Sequence, residues 1–158
     1  MQKITPFLWF DDAAEEAANF YVSVFDGAEM LSVNRVPPGG RGEPGAVLTV
    51  GFRIAGQHFT ALNGGPEFRF TEAISFVIHC QSQGEVDRYW DALTMGGEPG
   101  PCGWLKDKFG VSWQVVPDAL VEMMGDEDGE RAARVVRAMM GMSKIDIAAL
   151  EGAYAGTA

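Results

Sequence analysis

Few side chains in this sequence could do covalent or metal chemistry. There are two histidines, His58 and His79, and two cysteines, Cys80 and Cys102. Cys102 sits beside Gly103 and could serve as a nucleophile, but no base is placed to activate it, so a buried thiol is the stronger reading. The glycine-rich run 37–45 invites comparison with a phosphate cradle. Its spacing is neither G-x-G-x-x-G nor the Walker pattern, and no helix follows, so it reads as a mobile loop, over a cavity mouth. What remains are neutral polar groups set among aromatics, a composition suited to holding a small molecule rather than an ion.

The totals agree with that direction. The chain has 158 residues, 47% hydrophobic and 22% charged, which is ordinary for one globular domain. Its formal charge of −10 repels phosphate backbones and anionic membranes, so neither nucleic acid nor a lipid surface is an expected partner. Two cysteines make no disulfide framework, and no secretory pattern or membrane-length apolar run is present; a cytoplasmic location follows by elimination.

The elements that must position any site follow from periodicity. Residues 4–10 read as a strand. Asp12 and Glu15 suggest a capping box for a helix whose stripe is Ala13, Ala17, Phe20, Tyr21 and Val24, stopped by Gly27. Strands are expected at 29–36, 46–54 and 57–62, with Ala55-Gly56 turning the last pair. The pattern restarts with a strand over 72–80. Ser82 and Glu85 then cap a helix with Val86, Tyr89, Trp90 and Leu93 on one side. A hairpin over 103–117 turns at Asp107-Lys108-Phe109-Gly110 and ends at Pro117.

The two stretches match one another. A shift of 69 carries Phe7 to Phe76, Glu16 to Glu85, Phe20 and Tyr21 to Tyr89 and Trp90, and Gly27 to Gly96, with no gap. A shift of 54 carries Gly56 to Gly110 and Phe59 to Trp113. The chain therefore reads as an α+β protein over 1–117 made of two βαβββ modules, 3–63 and 72–117. A helical extension over 118–158 packs on the same domain or on a dimer partner. In it Asp118 and Asp126-Glu127-Asp128 open helices, Arg131, Arg134 and Arg137 face water or carboxylates, and Ser143 with Asp146 forms a further capping box.

Two consecutive βαβββ units, with a Lys-Asp-Lys-Phe-Gly hairpin before the last strand, resemble the vicinal oxygen chelate superfamily of glyoxalases, extradiol dioxygenases and antibiotic resistance proteins. The closer likeness is to its PhnB-like branch, whose members are often labelled 3-demethylubiquinone-9 3-methyltransferase. Thr5-Pro6-Phe7-Leu8-Trp9-Phe10-Asp11, Ala61-Leu62-Asn63-Gly64-Gly65-Pro66, Ile74-Ser75-Phe76 and residues 102–114 carry it. The resemblance implies curled sheets around a cavity and a homodimer.

It also implies where a metal would sit. In metal-dependent relatives, His and carboxylate ligands come from the first and last strand of each unit. Those positions here fall on Thr5, on Ala73 or Ile74, on Thr60 or Leu62, and on Gln114, none a strong ligand. The expectation is no metal and no cofactor; were a metal bound through other positions, His58, His79 or Glu72 would hold it. His79 matches Phe10 in the repeat and reads as a packed or rim histidine.

Strand alternation then sets Thr5, Phe7 and Trp9 on one face and Ile74, Phe76 and Ile78 on the matching face of the second module. Thr60, Leu62, Asn63, Ser112, Gln114 and Val116 complete the walls. Phe7, Trp9 and Phe76 could equally be plain core. The amide of Gln114 either holds a ligand oxygen or is satisfied by backbone, and Asn63 before Gly64 has a turn reading as well as a ligand one. The expected function is binding of a small, partly apolar ligand in a metal-free cavity, with any activity unassigned. The alternatives are a glyoxalase- or dioxygenase-type enzyme with displaced ligands, and a non-catalytic sequestering or resistance protein. Methyl transfer finds no support, since the only glycine-rich run lies between strands.

Overall fold

The computed structural model describes residues 2–157 and divides the chain into two compact units, Met1–Phe70 and Thr71–Ala158. The first contains β1 (Phe7–Phe10), α1 (Ala14–Val24), β2 (Glu29–Arg35), β3 (Val47–Ile54) and β4 (Gln57–Asn63). The second contains β5 (Phe76–Cys80), α2 (Gln83–Thr94), β6 (Glu98–Pro99), β7 (Trp104–Lys106) and β8 (Ser112–Pro117), followed by α3 (Asp118–Met124), α4 (Gly129–Met140) and α5 (Ile147–Ala155). Each unit holds one four-stranded mixed sheet. The strand orders, β1-β4-β3-β2 and β5-β8-β7-β6, are the same plan written twice.

In the first unit α1 lies on β3 and β4. It buries Ala14, Ala17, Ala18, Tyr21 and Val24, whose spacing forms one stripe. Beneath them Tyr21 stacks on Phe52 at 5.9 Å and Phe52 on its cross-strand partner Phe59 at 5.4 Å. The small alanines let the helix approach closely, and the aromatics fill the depth behind them. Ala55 and Gly56, at φ 48° and 76°, make the tight β3–β4 turn.

The start of α1 differs from expectation. Asp12 caps nothing: the N-cap of α1 is Ala13, which has no capping side chain. The cap comes instead from Asn63, whose Oδ1 accepts from Ala14 N at 2.8 Å. Ser82 does cap α2, accepting from Glu85 N, while Glu85 reaches back past the N-cap to accept from Gln81 N, a variant of the box that Ser-x-x-Glu spells.

In the second unit α2 lies on β7 and β8 with Val86, Trp90 and Leu93 buried. The hairpin is fixed by Asp107, which is 3% exposed. Its carboxylate accepts from Phe109 N, Val111 N and the Trp113 indole at 2.9, 3.1 and 2.9 Å. The turn residue thus becomes a buried polar hub, and its burial is tolerable because three donors surround it.

The C-terminal helices belong to this second unit. Leu120, Val135, Ile145 and Leu150 form their core. Gln83 grips the connection to α5, donating to Ile145 O at 3.0 Å and accepting from Ile147 N at 2.8 Å. Two expectations for this tail fail. Ser143 does not join a capping box; its hydroxyl donates to Gly100 O, and Asp146 is itself the N-cap of α5. Arg134 does not face water or carboxylates, because its guanidinium is closer to the open carbonyls ending α5, bonding Ala153 O and Tyr154 O at 2.8 Å each.

Among the described residues no helix is long and apolar enough to cross a membrane.

Candidate functional site

On the first sheet, parallel pairing of β1 with β4 sets Phe7 opposite Thr60 and Trp9 opposite Leu62. Register partners point to the same side. Phe7, Trp9, Thr60 and Leu62 therefore share a face, the one opposite buried Leu8, Phe10, Phe59 and Ala61. Phe7 is 60% exposed there. Trp9 is largely used up by its own unit: its indole donates to Gly65 O at 2.9 Å and Phe68 meets it edge-on at 4.9 Å. Gly64 lies flat against the ring, where a Cβ would fall 2.3 Å from it. Thr5 is exposed and precedes the strand. Asn63 is spent at both ends, capping α1 and donating to Val47 O at 3.0 Å, so its amide has a structural duty rather than a free face for ligand.

On the second sheet the expected face assignment fails for one strand. β5 pairs with β8 so that Phe76 opposes Trp113 and Val77 opposes Gln114. Phe76 therefore lies on the opposite face from Gln114, with its ring 5.5 Å from that of buried Trp113. Ile78 follows Phe76, while Ile74 precedes the strand and is exposed. The reason is a slip of one residue. The helices superpose at a shift of 69, N-cap Ala13 on N-cap Ser82, but the strands superpose at 70, Phe10 on Cys80. A one-residue slip exchanges every inward and outward position of a strand. It also places His79, exposed, in register with Trp9 rather than Phe10.

Ser112, Gln114, Trp104 and Lys106 do share a face, since Trp104 pairs with Gln114 and Lys106 with Ser112. Gln114 Nε2 donates to Ser75 Oγ at 2.9 Å. A cleft of about 510 Å3 opens on this unit, lined by Pro99, Pro101, Cys102, Trp104, Lys106 and Ser112 among others. At its side Lys106 is ion-paired with Glu72. The hydrogen bond between them raises the lysine pKa and lowers that of the carboxyl. Ser112 is 1% exposed, and its Oγ is a buried polar atom with no hydrogen-bond partner. Such a group costs about 1–3 kcal/mol until something pairs with it.

Cys102 contributes to the same wall from a left-handed backbone, φ 58°. The tail holds it there: Cys102 N donates to Met142 O and Gly103 N to Ser143 O, both 2.8 Å. Cys80, by contrast, is fully buried, and desolvation pushes its thiol up to about 11.

Among the described residues no three His, Cys, Asp or Glu side chains converge. His58 lies on the first sheet opposite Arg53, His79 opposite Val116, and Glu72 on Lys106. Trp104 and Lys106 escaped the sequence reading, although counting outward from the Asp107–Gly110 turn puts both on the Ser112 face.

The family model described as 3-demethylubiquinone-9 3-methyltransferase matches residues 2–116. A PhnB protein from Bacillus cereus is similar at 38% identity, covering 73% of this chain and 99% of that one, with a TM-score of 0.65. A Pseudomonas aeruginosa protein shares the fold at 22% identity, 74% and 98% coverage and a TM-score of 0.58. The fosfomycin resistance protein FosX from Listeria monocytogenes shares it at 18% identity, 73% and 94% coverage and a TM-score of 0.52. No protein of curated function matches. With the family model spanning both βαβββ modules and a PhnB protein 38% identical, the chain belongs to the PhnB-like, 3-demethylubiquinone-9 3-methyltransferase family.

Proposed function

We propose that this protein binds a small, partly apolar molecule in the cleft of its second unit, without a divalent metal. The observation that carries the reading is the cleft itself, about 510 Å3, with Trp104 and two prolines in its wall and the unpartnered Ser112 hydroxyl beneath. That volume and that balance of apolar wall to isolated polar group are typical of small-ligand sites. Gln114, on the same face, would orient the ligand through the amide now shared with Ser75. Phe7, Thr60 and Leu62 remain candidates on the first sheet.

The donor chemistry supports the metal-free half. Thr5, Thr60, Leu62 and Gln114 stand where the superfamily's ligands would be, and two threonines, a leucine and one amide offer none of the imidazole or carboxylate donors with which such a site holds a divalent cation. Methyl transfer has no support either: the glycine-rich run joins β2 to β3, and among the described residues no strand leads through a G-x-G-x-x-G turn into a helix, as a nucleotide-like cofactor would need. We keep the homodimer and the cytoplasmic location as part of the same proposal.

Metal analysis on protein purified without chelators or a histidine tag, paired with a thermal-shift screen of small aromatic and aliphatic compounds, tests it. The expected outcome is no stoichiometric metal, no shift with S-adenosylmethionine, and stabilising compounds whose effect is lost in Trp104→Ala. About one tightly held divalent ion per chain would overturn the metal-free reading.

A further inference from the structure

Resting on the reading of this cleft as a ligand site, we infer that its ligand is a small amphipathic amine, an apolar or aromatic body carrying a protonated nitrogen. The argument begins with charge. Glu72, Glu98 and Lys106 line the cleft. Two carboxylates against one ammonium leave a surplus of one negative charge (1 − 2 = −1). Lys106 is already matched, because Glu72 is ion-paired with it. Glu98 stands across the β6–β7 ladder from Lys106, is exposed, and forms no ion pair of its own among the described residues.

An incoming carboxylate or phosphate would have to displace Glu72 while facing Glu98. An incoming cation meets the surplus carboxylate, since the one lysine near Glu98 is already ion-paired with Glu72. The net charge of −10 draws cations toward the chain as a whole.

The neutral groups point the same way. The half-buried ring of Trp104 lies on the same sheet face as Lys106 and Ser112, and an indole face attracts a cation. The Ser112 oxygen, buried and unpartnered, can accept an N–H. An ammonium has three donors and no acceptor, so serine oxygen, carboxylate and indole face are complementary to it. Pro99 and Pro101 supply the apolar contact for the body. The Ser112 hydroxyl is closed off from solvent in the wall of the cleft, so the amine reaches it by a local shift of that wall.

The test is calorimetric titration at low salt with 2-phenylethylamine, 2-phenylethanol and 3-phenylpropionate, which share a body and differ in charge. The amine is expected to bind about tenfold more tightly than either of the others. Glu98→Gln, at an exposed edge position where folding is not at stake, should remove that preference and leave the alcohol unchanged. Ser112→Ala should weaken the amine and the alcohol alike. If the carboxylate binds as well as the amine, or if Glu98→Gln leaves amine binding intact, the charge inference is overturned while the cleft survives as a ligand site. If none of the three gives heat at millimolar concentration, the cleft reading falls with it.

Discussion

Replacing Asp107 by asparagine should destabilise the second unit through one bond. The side chain is almost fully buried, and its two oxygens divide their work. Oδ1 accepts from Phe109 N and Val111 N, while Oδ2 accepts from the Trp113 indole at 2.9 Å. Asparagine can keep its carbonyl oxygen on the two backbone donors. Its amide nitrogen then faces the indole N–H, donor against donor. A hydrogen bond to a charged group contributes about 1.5–3 kcal/mol, and a buried donor left without acceptor costs about 1–3 kcal/mol. Removing the buried charge recovers part of its desolvation, so the net loss should be about 2–3 kcal/mol.

Urea unfolding at constant m-value measures it. The control is a double-mutant cycle with Trp113→Phe, which deletes the stranded donor. Asp107→Asn should then cost about 1–2 kcal/mol less than in the wild-type background. An Asp107→Asn protein within about 0.5 kcal/mol of wild type, or an equal cost in both backgrounds, would refute the assignment of Asp107 as the hub of the hairpin.

Three further outcomes follow from positions described above. A thiol reagent should modify native protein at Cys102 and reach Cys80 only on unfolding, because Cys80 is buried with its thiol raised to about 11; equal rates at both would contradict this. Gly64→Ala should force the Trp9 ring from its seat at a cost of about 1–3 kcal/mol, visible as a red-shifted tryptophan emission, and Trp9→Leu should relieve most of it. Asp126 accepts from Tyr154 O–H at 2.5 Å, and that bond, then the Asp128 backbone N–H, hold its pKa below the usual value. A depressed carboxyl stabilises the fold above its unfolded pKa of about 3.9 and loses that contribution as pH falls through the folded value. The stability gap between wild type and Asp126→Asn should therefore close on acidification, and a gap independent of pH would remove Asp126 from the account.

The repeat was legible because it is carried by periodicity and by stop residues: Gly27 and Gly96 end the two helices' sequence stretches, and Gly56 and Gly110 take positive φ in the two hairpins. The Ser82–Glu85 box was legible because both partners lie on one local turn. Phe76 was misplaced because an alignment guided by helix residues hides a single residue lost between strand and helix. Asp107 was read as a turn former and Asn63 as a turn former or a ligand contact, and neither reading reveals that their side chains reach back into the fold. The cleft was legible only in part. Ser112 followed from alternation, and the same count outward from the turn reaches Lys106, but Glu98 acquires meaning only once β6 is paired with β7.

The lost residue has a further consequence, for the order of assembly. The first module spends three residues, 11–13, between strand and helix, and closes its helix start with Asn63, 49 positions away and at the end of β4. The second spends two, 81 and 82, and closes its own start with neighbours three and four residues apart. Local closure needs no prior chain compaction, whereas closure through Asn63 must wait for three strands to meet. Pulse-labelled hydrogen exchange during refolding should show the first turn of α2 protected ahead of that of α1, two copies of one plan with different starting times.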